Sequence, residues 1–306
     1  MASLKAIKIK ILSYKKTGSV TRAMEAVSAV KMRKGQERAL SSRAYAAAAL
    51  SILERLAGTA DVARHGLLTQ RKGKTCVVII TSDKGLAGSL NSGVIRKVEQ
   101  ELLKRDLDKK DIVLIAIGRR GGDYFASRGY DVRMKHENVA DSVSESEIRI
   151  ATDNILEWHA VGEIGSCFVA YQNFISTFEQ QPTVRQIVPI TPSGMQEIVA
   201  GIRPARGKYS PSEALAKEGA PAAYTIEPDA DTVLTELLPR LLNIAVFHAL
   251  LESKASEHSA RMVAMKSATD KAKEMAHNLT RKFNKVRQAA ITREVSEITS
   301  GIEAMR

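Results

Sequence analysis

The chain has 306 residues, 46 Lys+Arg against 34 Asp+Glu, a formal charge of +12, and 44% hydrophobic but only 5% aromatic residues. That supplies enough apolar residue for a sizeable core in one or two domains. Two cysteines, Cys76 and Cys167, exclude a disulfide framework and a four-cysteine zinc site, and because both sit in apolar runs (TCVVII, SCFVAY) they read as buried thiols in a reducing compartment. No stretch approaches the roughly 20 apolar residues of a membrane-spanning helix, and no apolar signal segment follows the basic start, so the chain itself is expected neither to span a membrane nor to be secreted.

Residues 1–56 carry 12 basic and 3 acidic residues, three quarters of the whole excess of positive charge. Such a stripe suits nucleic acid, an anionic membrane surface or an acidic protein partner, and charge alone does not choose among them. The same segment has glycines at positions 18 and 35, no proline, and many good helix formers, which predicts one long helix ending near Gly58 and Thr59. Its apolar positions step as a seam through Leu4, Ile7, Ile11 and Tyr14, and then, after a register change near Gly18, through Val20, Met24 and Val27.

Residues 75–190 read differently. Apolar β-branched runs at 75–82, 111–118, 166–176 and 183–190 alternate with helical patterns at 94–106, 119–128 and around Ser144–His159. That alternation predicts an α/β layer with a largely parallel sheet. Residues 191–228 hold most of the prolines and read as a flexible loop.

The last segment is helical again. Met265, Ala268, Ala272, Met275, Leu279, Phe283, Val286 and Ala290 repeat at three and four residues, and after a one-residue shift so do Ile291, Val295, Ile298, Ile302 and Met305. No glycine or proline interrupts Arg240 to Ser300. The expected organisation is an N-terminal coiled-coil helix at 1–58, a globular α/β (Rossmann-like) domain at 59–228 containing the loop 191–228, and a C-terminal coiled-coil helix at 229–306. The two terminal helices are natural partners in an antiparallel coiled coil.

An α/β sheet invites a search for phosphate loops. Gly73-Lys74-Thr75 resembles the end of a P-loop, but Leu68 stands where its first glycine belongs and the tripeptide leads into a strand. Gly85-Leu86-Ala87-Gly88 and Gly118, Gly121 and Gly122 follow strands without dinucleotide-binding spacing. The six histidines show no metal-binding pairing, and His248 and His258 read as packing or solvated residues on the long helix. Asp83-Lys84 is the only site-like polar pair, with a turn-capping Asp and a solvated Lys as its simplest explanation. The basic N-terminal stripe offers only Tyr14 and Tyr45 as stacking aromatics. No catalytic, cofactor or metal residue is therefore assigned.

Two terminal stretches, MASLKAIKIKILSYKKTGSVTRAMEAVSAVKMRKGQERA and LLESKASEHSARMVAMKSATDKAKEMAHNLTRKFNKVRQAAITREVSEITSGIEA, closely resemble the gamma subunit of F-type ATP synthases, and SDKGLAGSLN resembles the loop after that family's first strand. The C-terminal signature reads Ile291-Thr292-Arg293-Glu294-Val295-Ser296-Glu297 and then Gly301, departing at Ile302, where an alanine is usual; Ala87 stands where a cysteine often does. The resemblance implies a non-catalytic rotor shaft passing up the axis of a 3:3 head of alpha and beta subunits, with the α/β domain at the base beside the epsilon subunit and the membrane c-ring. It implies no cofactor, no nucleic acid, and, for a bacterial chain, a peripheral place on the cytoplasmic face of the inner membrane. It further implies beta-subunit contacts at Met24, Lys31, Arg33, Glu257, Arg261, Arg287, Gln288, Thr292, Glu294 and Glu297, made by hydrogen bonds and charge. Two other classes compete: a basic coiled-coil protein on DNA or RNA, and an α/β enzyme made oligomeric by its long helices.

Overall fold

A computed structural model describes residues 4–56, 66–191, 194 and 230–305; within the first helix, side chains beyond residue 39 are described only at Ser41, Ala48 and Ile52, and those of residues 230 and 231 are not described. The chain runs α1 (Leu4–Leu56), β1 (Lys74–Ile80), α2 (Leu90–Lys104), β2 (Ile112–Ile117), α3 (Arg119–Ala126), β3 (Asp131–His136), α4 (Glu145–Ala160), β4 (Ile164–Phe174), β5 (Gln180–Val188) and α5 (Ala230–Ala304). The expected helix end at Gly58 and Thr59, both domain boundaries, and nearly all of the loop 191–228 lie outside the described residues.

The chain divides into two compact units, one of residues 29–260 and one of residues 1–28 with 261–306. The larger unit holds a five-stranded sheet in the order β3-β2-β1-β4-β5. Four strands are parallel, and β5 runs antiparallel to β4 at one edge. The buried strands are continuous apolar runs because both faces are covered, as parallel sheets require. On one face Val77, Ile79, Leu114 and Ala116 pack with Val94, Val98 and Leu102 of α2 and Phe125 of α3. On the other, Cys76, Val78, Ile80 and Val169 pack with Ile148 and Ile155 of α4 and with Leu234, Leu238, Leu242 and Val246 of α5. A fully buried aliphatic side chain of this kind stabilises by about 1.5–3 kcal/mol. One 18-residue window of α5 is apolar enough to cross a membrane by length and composition alone, where the sequence predicts no such stretch; 61% of it is buried in the fold, as in the core helix of a packed domain.

The predicted strands all form, with ends shifted by one to three residues. Strand β3 was missed. Its sequence, DVRMKH, alternates exposed and half-buried positions at the sheet edge, so it lacks the apolar run that identified the others. Pro239 sits inside α5, ten residues from its start, where it removes one backbone hydrogen bond. Helix α4 begins with a capping box in which Ser144 and Glu147 satisfy each other's backbone N–H groups.

In the smaller unit α1 and α5 pack side by side and antiparallel. A Cβ on Gly18 would lie 3.5 Å from Ala272 Cβ, and the Thr21 and Thr269 hydroxyls bond at 2.7 Å, so partners sum to 290. The expected register change at Gly18 does not occur. The inward row continues as Leu4, Ile7, Ile11, Gly18, Thr21, Glu25 and Ser28, while Val20 and Val27 are more than half exposed. On α5 the buried positions are Met265, Thr269, Ala272 and Ala276, one residue away from the expected Ala268 and Met275, which lie half-buried at the flank. The seam follows small residues because a close helix crossing admits small side chains at its centre, and hydrophobicity alone does not mark those positions.

Candidate functional site

In doubly wound sheets a ligand sits beyond the carboxyl ends of the strands where the strand order reverses, here at β1 and β4. Side chains of the chain itself occupy the loop after β1. Asn91, in the first turn of α2, accepts from the Ser82 backbone N–H at 2.9 Å and donates to the Ser82 hydroxyl at 2.7 Å. That hydroxyl donates to the Lys84 carbonyl. Asp83 caps α3 by accepting the Arg119 backbone N–H at 3.0 Å, and the Lys84 side chain is exposed. Gly118 has φ +94, and a Cβ there would come within 2.0 Å of the Thr81 carbonyl oxygen, so only glycine fits between β1 and the start of α3. Gly73 sits where β1 meets β4: a Cβ would lie 2.6 Å from the Gly165 backbone nitrogen. Its glycine serves strand packing. Among the described residues no group of three or more His, Cys, Asp or Glu is arranged to hold a metal. Cys76 and Cys167 face each other across β1 and β4, fully buried, and burial pushes the Cys167 thiol well above its ordinary range.

The strongest polar constellation in the larger unit surrounds Asp141, in the connection between β3 and α4. Its carboxylate accepts from His258 Nε2 at 2.8 Å and pairs with Lys31 Nζ at 2.6 Å, while Arg38 donates to the Asp141 carbonyl at 2.6 Å. Lys254 donates to the nearby Val139 carbonyl at 2.8 Å. The His258 hydrogen bond, and then Lys31, hold the Asp141 carboxyl well below the usual carboxylate range. His258 is thus buried and paired, not solvated. His248 packs in the core beside Glu252, Nδ1 to Oε1 3.3 Å. Asp141 was missed because its partners lie about 100 residues away on either side and nothing local marks it.

The predicted contact residues fall into separate groups. Lys31 is exposed and paired with Asp141, and Arg33 is exposed. Glu257 is buried, its carboxylate 3.9 Å from Lys254 on the same helix. In the smaller unit Met24 and Arg261 are half-buried. Arg287, Gln288, Thr292, Glu294 and Glu297 all lie on exposed helix; Thr292 donates to the Gln288 carbonyl and Glu297 pairs with Arg293 at 3.0 Å. Pairing by a sum of 290 sets Leu4, the first described residue, opposite Val286. Beyond Ala290 every described position of α5 is exposed, including Ile291, Val295, Ile298, Ile302 and Met305, each 52% or more. Five apolar residues at four-three spacing form a stripe with no partner among the described residues.

The fold is shared with solved central-stalk chains of ATP synthases. It matches a chain of the Euglena gracilis mitochondrial ATP synthase OSCP/F1/c-ring structure with a TM-score of 0.64 at 17% identity, over 99% of this chain and 94% of that one. It matches a chain of the Tetrahymena thermophila mitochondrial ATP synthase central stalk/c-ring structure with a TM-score of 0.59 at 23% identity, over 81% and 99%. A family model described as ATP synthase matches residues 3–305. The ATP synthase gamma chain of Heliobacterium modesticaldum is 37% identical over 306 residues, covering all of both chains, and that of Roseiflexus sp. is 35% identical over 308 residues, covering 100% and 99%. The chain belongs to the gamma-chain family of ATP synthase. Nothing in these comparisons favours nucleic-acid binding.

Proposed function

We propose that this chain does no bond chemistry of its own and acts as the shaft through which rotation of a membrane c-ring is coupled to ATP synthesis or hydrolysis in an alpha and beta head, with epsilon beside its α/β body, on the cytoplasmic face of a bacterial inner membrane. The observation that carries this reading is the end of α5. Some fifteen residues of helix with an apolar stripe and no intrachain partner are not stabilised by packing, so they need a surface from another chain. A helix presenting different side chains around its circumference can bias the affinities of several similar subunits only through contacts whose free energy differs between their states. Arg287, Gln288, Thr292, Glu294 and Glu297 supply polar groups beside that stripe, and Met24, Lys31, Arg33 and Arg261 are further contacts toward beta. Glu257, buried beside Lys254 on the same helix, belongs to the same proposed set of contacts. The concentration of positive charge in residues 1–56 suits acidic loops of the head, with attraction that is long-ranged and screened by salt.

The test is reconstitution. Mixed with purified alpha and beta subunits, the chain should enter a complex in one copy and change steady-state ATP hydrolysis. Deleting residues 287–306 should leave the isolated chain folded, because the segment buries no core, while weakening assembly or coupling. A folded, helical chain that fails to join the head would contradict the proposal.

A further inference from the structure

Three segments of the larger unit line an open cavity of about 340 Å³ beside Asp141. Helix α1 brings Lys31, Lys34 and Arg38 to its wall, and α5 brings Lys254 and His258. Four Lys and Arg side chains stand against the Asp141 carboxylate and that of Glu257, 3.9 Å from Lys254, which leaves a formal excess of +2 before the histidine is counted. The Asp141 carboxylate is already committed to Lys31 and His258, so it neutralises little of the rest. Lys34 makes no ion pair among the described residues. Arg38 uses one guanidinium nitrogen on the Asp141 carbonyl and keeps its remaining N–H groups, and Lys254 spends one donor on the Val139 carbonyl and pairs more loosely with Glu257. His258, 5% exposed and bonded to Asp141, lies at the base of the cavity.

Cations that repel one another are ordinarily spread out, whereas here they converge from two helices on a concave space within the size range of small-ligand sites, about 300–1,000 Å³. Lysine ammonium groups and an arginine fork are the donors suited to a tetrahedral oxyanion. We propose that this cavity is a binding site for phosphate groups, either free phosphate or the diphosphate of a nucleotide. A bound anion would tie α1 to α5 beside the β3–α4 connection and stabilise the larger unit by mass action. This goes beyond the function proposed above and does not depend on it.

The experiment follows the His258 ring signals by NMR in the full-length isolated chain during separate titrations with sodium phosphate, pyrophosphate and ADP. Sodium chloride at matched ionic strength is the control. A saturable His258 shift with phosphate-bearing ligands and none with chloride is expected, together with a rise in Tm. Affinity in the Lys34→Gln, Arg38→Gln double variant should fall at least tenfold, which corresponds to about 1.4 kcal/mol, while Lys110→Gln, at an exposed lysine outside the cavity, should leave it unchanged. Tighter binding of pyrophosphate and ADP than of phosphate identifies a nucleotide diphosphate as the source; equal or weaker binding identifies free phosphate. Absence of a saturable shift, an equal response to chloride, or undiminished binding by the double variant would overturn the proposal. So would a His258 signal that moves only when alpha and beta subunits are added, because the cavity would then be a protein contact.

Discussion

At Asp141 a single carboxylate joins three parts of the chain: α1 through Lys31, α5 through His258, and the β3–α4 connection on which it sits. Its pKa is depressed in the folded state, so its contribution to stability is present above the ordinary carboxylate value of about 3.9 and is lost as pH falls below that toward the folded value. The charges facing it are Lys31, Lys34 and Arg38 from α1 and Lys254 and His258 from α5. The side chain is 38% exposed, so solvent screening limits the effect, and Asp141→Asn should cost about 1 kcal/mol or less at neutral pH. Urea unfolding as a function of pH checks this: the gap between wild type and variant should close as the acid range is entered. Gly118→Ala should be far more costly, about 2–4 kcal/mol by thermal unfolding, because it combines a left-handed backbone with a collision against the Thr81 carbonyl. Neither effect was legible in the sequence. The glycines after β2 were recognisable as a turn, but the contact that makes Gly118 irreplaceable comes from β1, and the partners of Asp141 are brought to it only by the fold.

The elements themselves were largely readable. Strands β1, β2 and β4 are apolar runs bounded by polar turns, and that pattern survives because both sheet faces are covered. Edge strand β3 escaped because half its side chains face solvent. The coiled-coil seam was found on both helices but misassigned in part, since hydrophobicity selected Val20 and Val27 where the crossing selects Gly18, Thr21 and Ser28. Two substitutions separate these readings. Val20→Ser should change stability by less than about 0.5 kcal/mol, as expected of an exposed site. Gly18→Ala should stabilise by about 0.5–1 kcal/mol, because the added methyl meets Ala272 at an ordinary 3.5 Å and relieves the entropic cost of glycine in a helix. Chemical denaturation of the full chain measures both, and a destabilised Gly18→Ala would mean that the seam packs more tightly than this register allows.

For the molecule as a whole, the terminal stretches that resemble the gamma-chain family were the most informative part of the sequence, and relatives at 35–37% identity across the full length carry the same assignment. The contact residues were less legible, because partner contacts leave no mark within one chain except unpartnered surface, which α5 shows beyond Ala290. A chain that acts as the proposed shaft must turn within the head. Leu103 is 81% exposed, whereas Cys76 and Cys167 are fully buried, so Leu103→Cys offers a selective attachment point for a probe on the α/β body. With the head immobilised and ATP supplied, the probe should rotate in one direction, in steps, at a rate that follows ATP turnover. An assembled head that hydrolyses ATP while the probe only fluctuates about a fixed angle would rule out a rotating shaft.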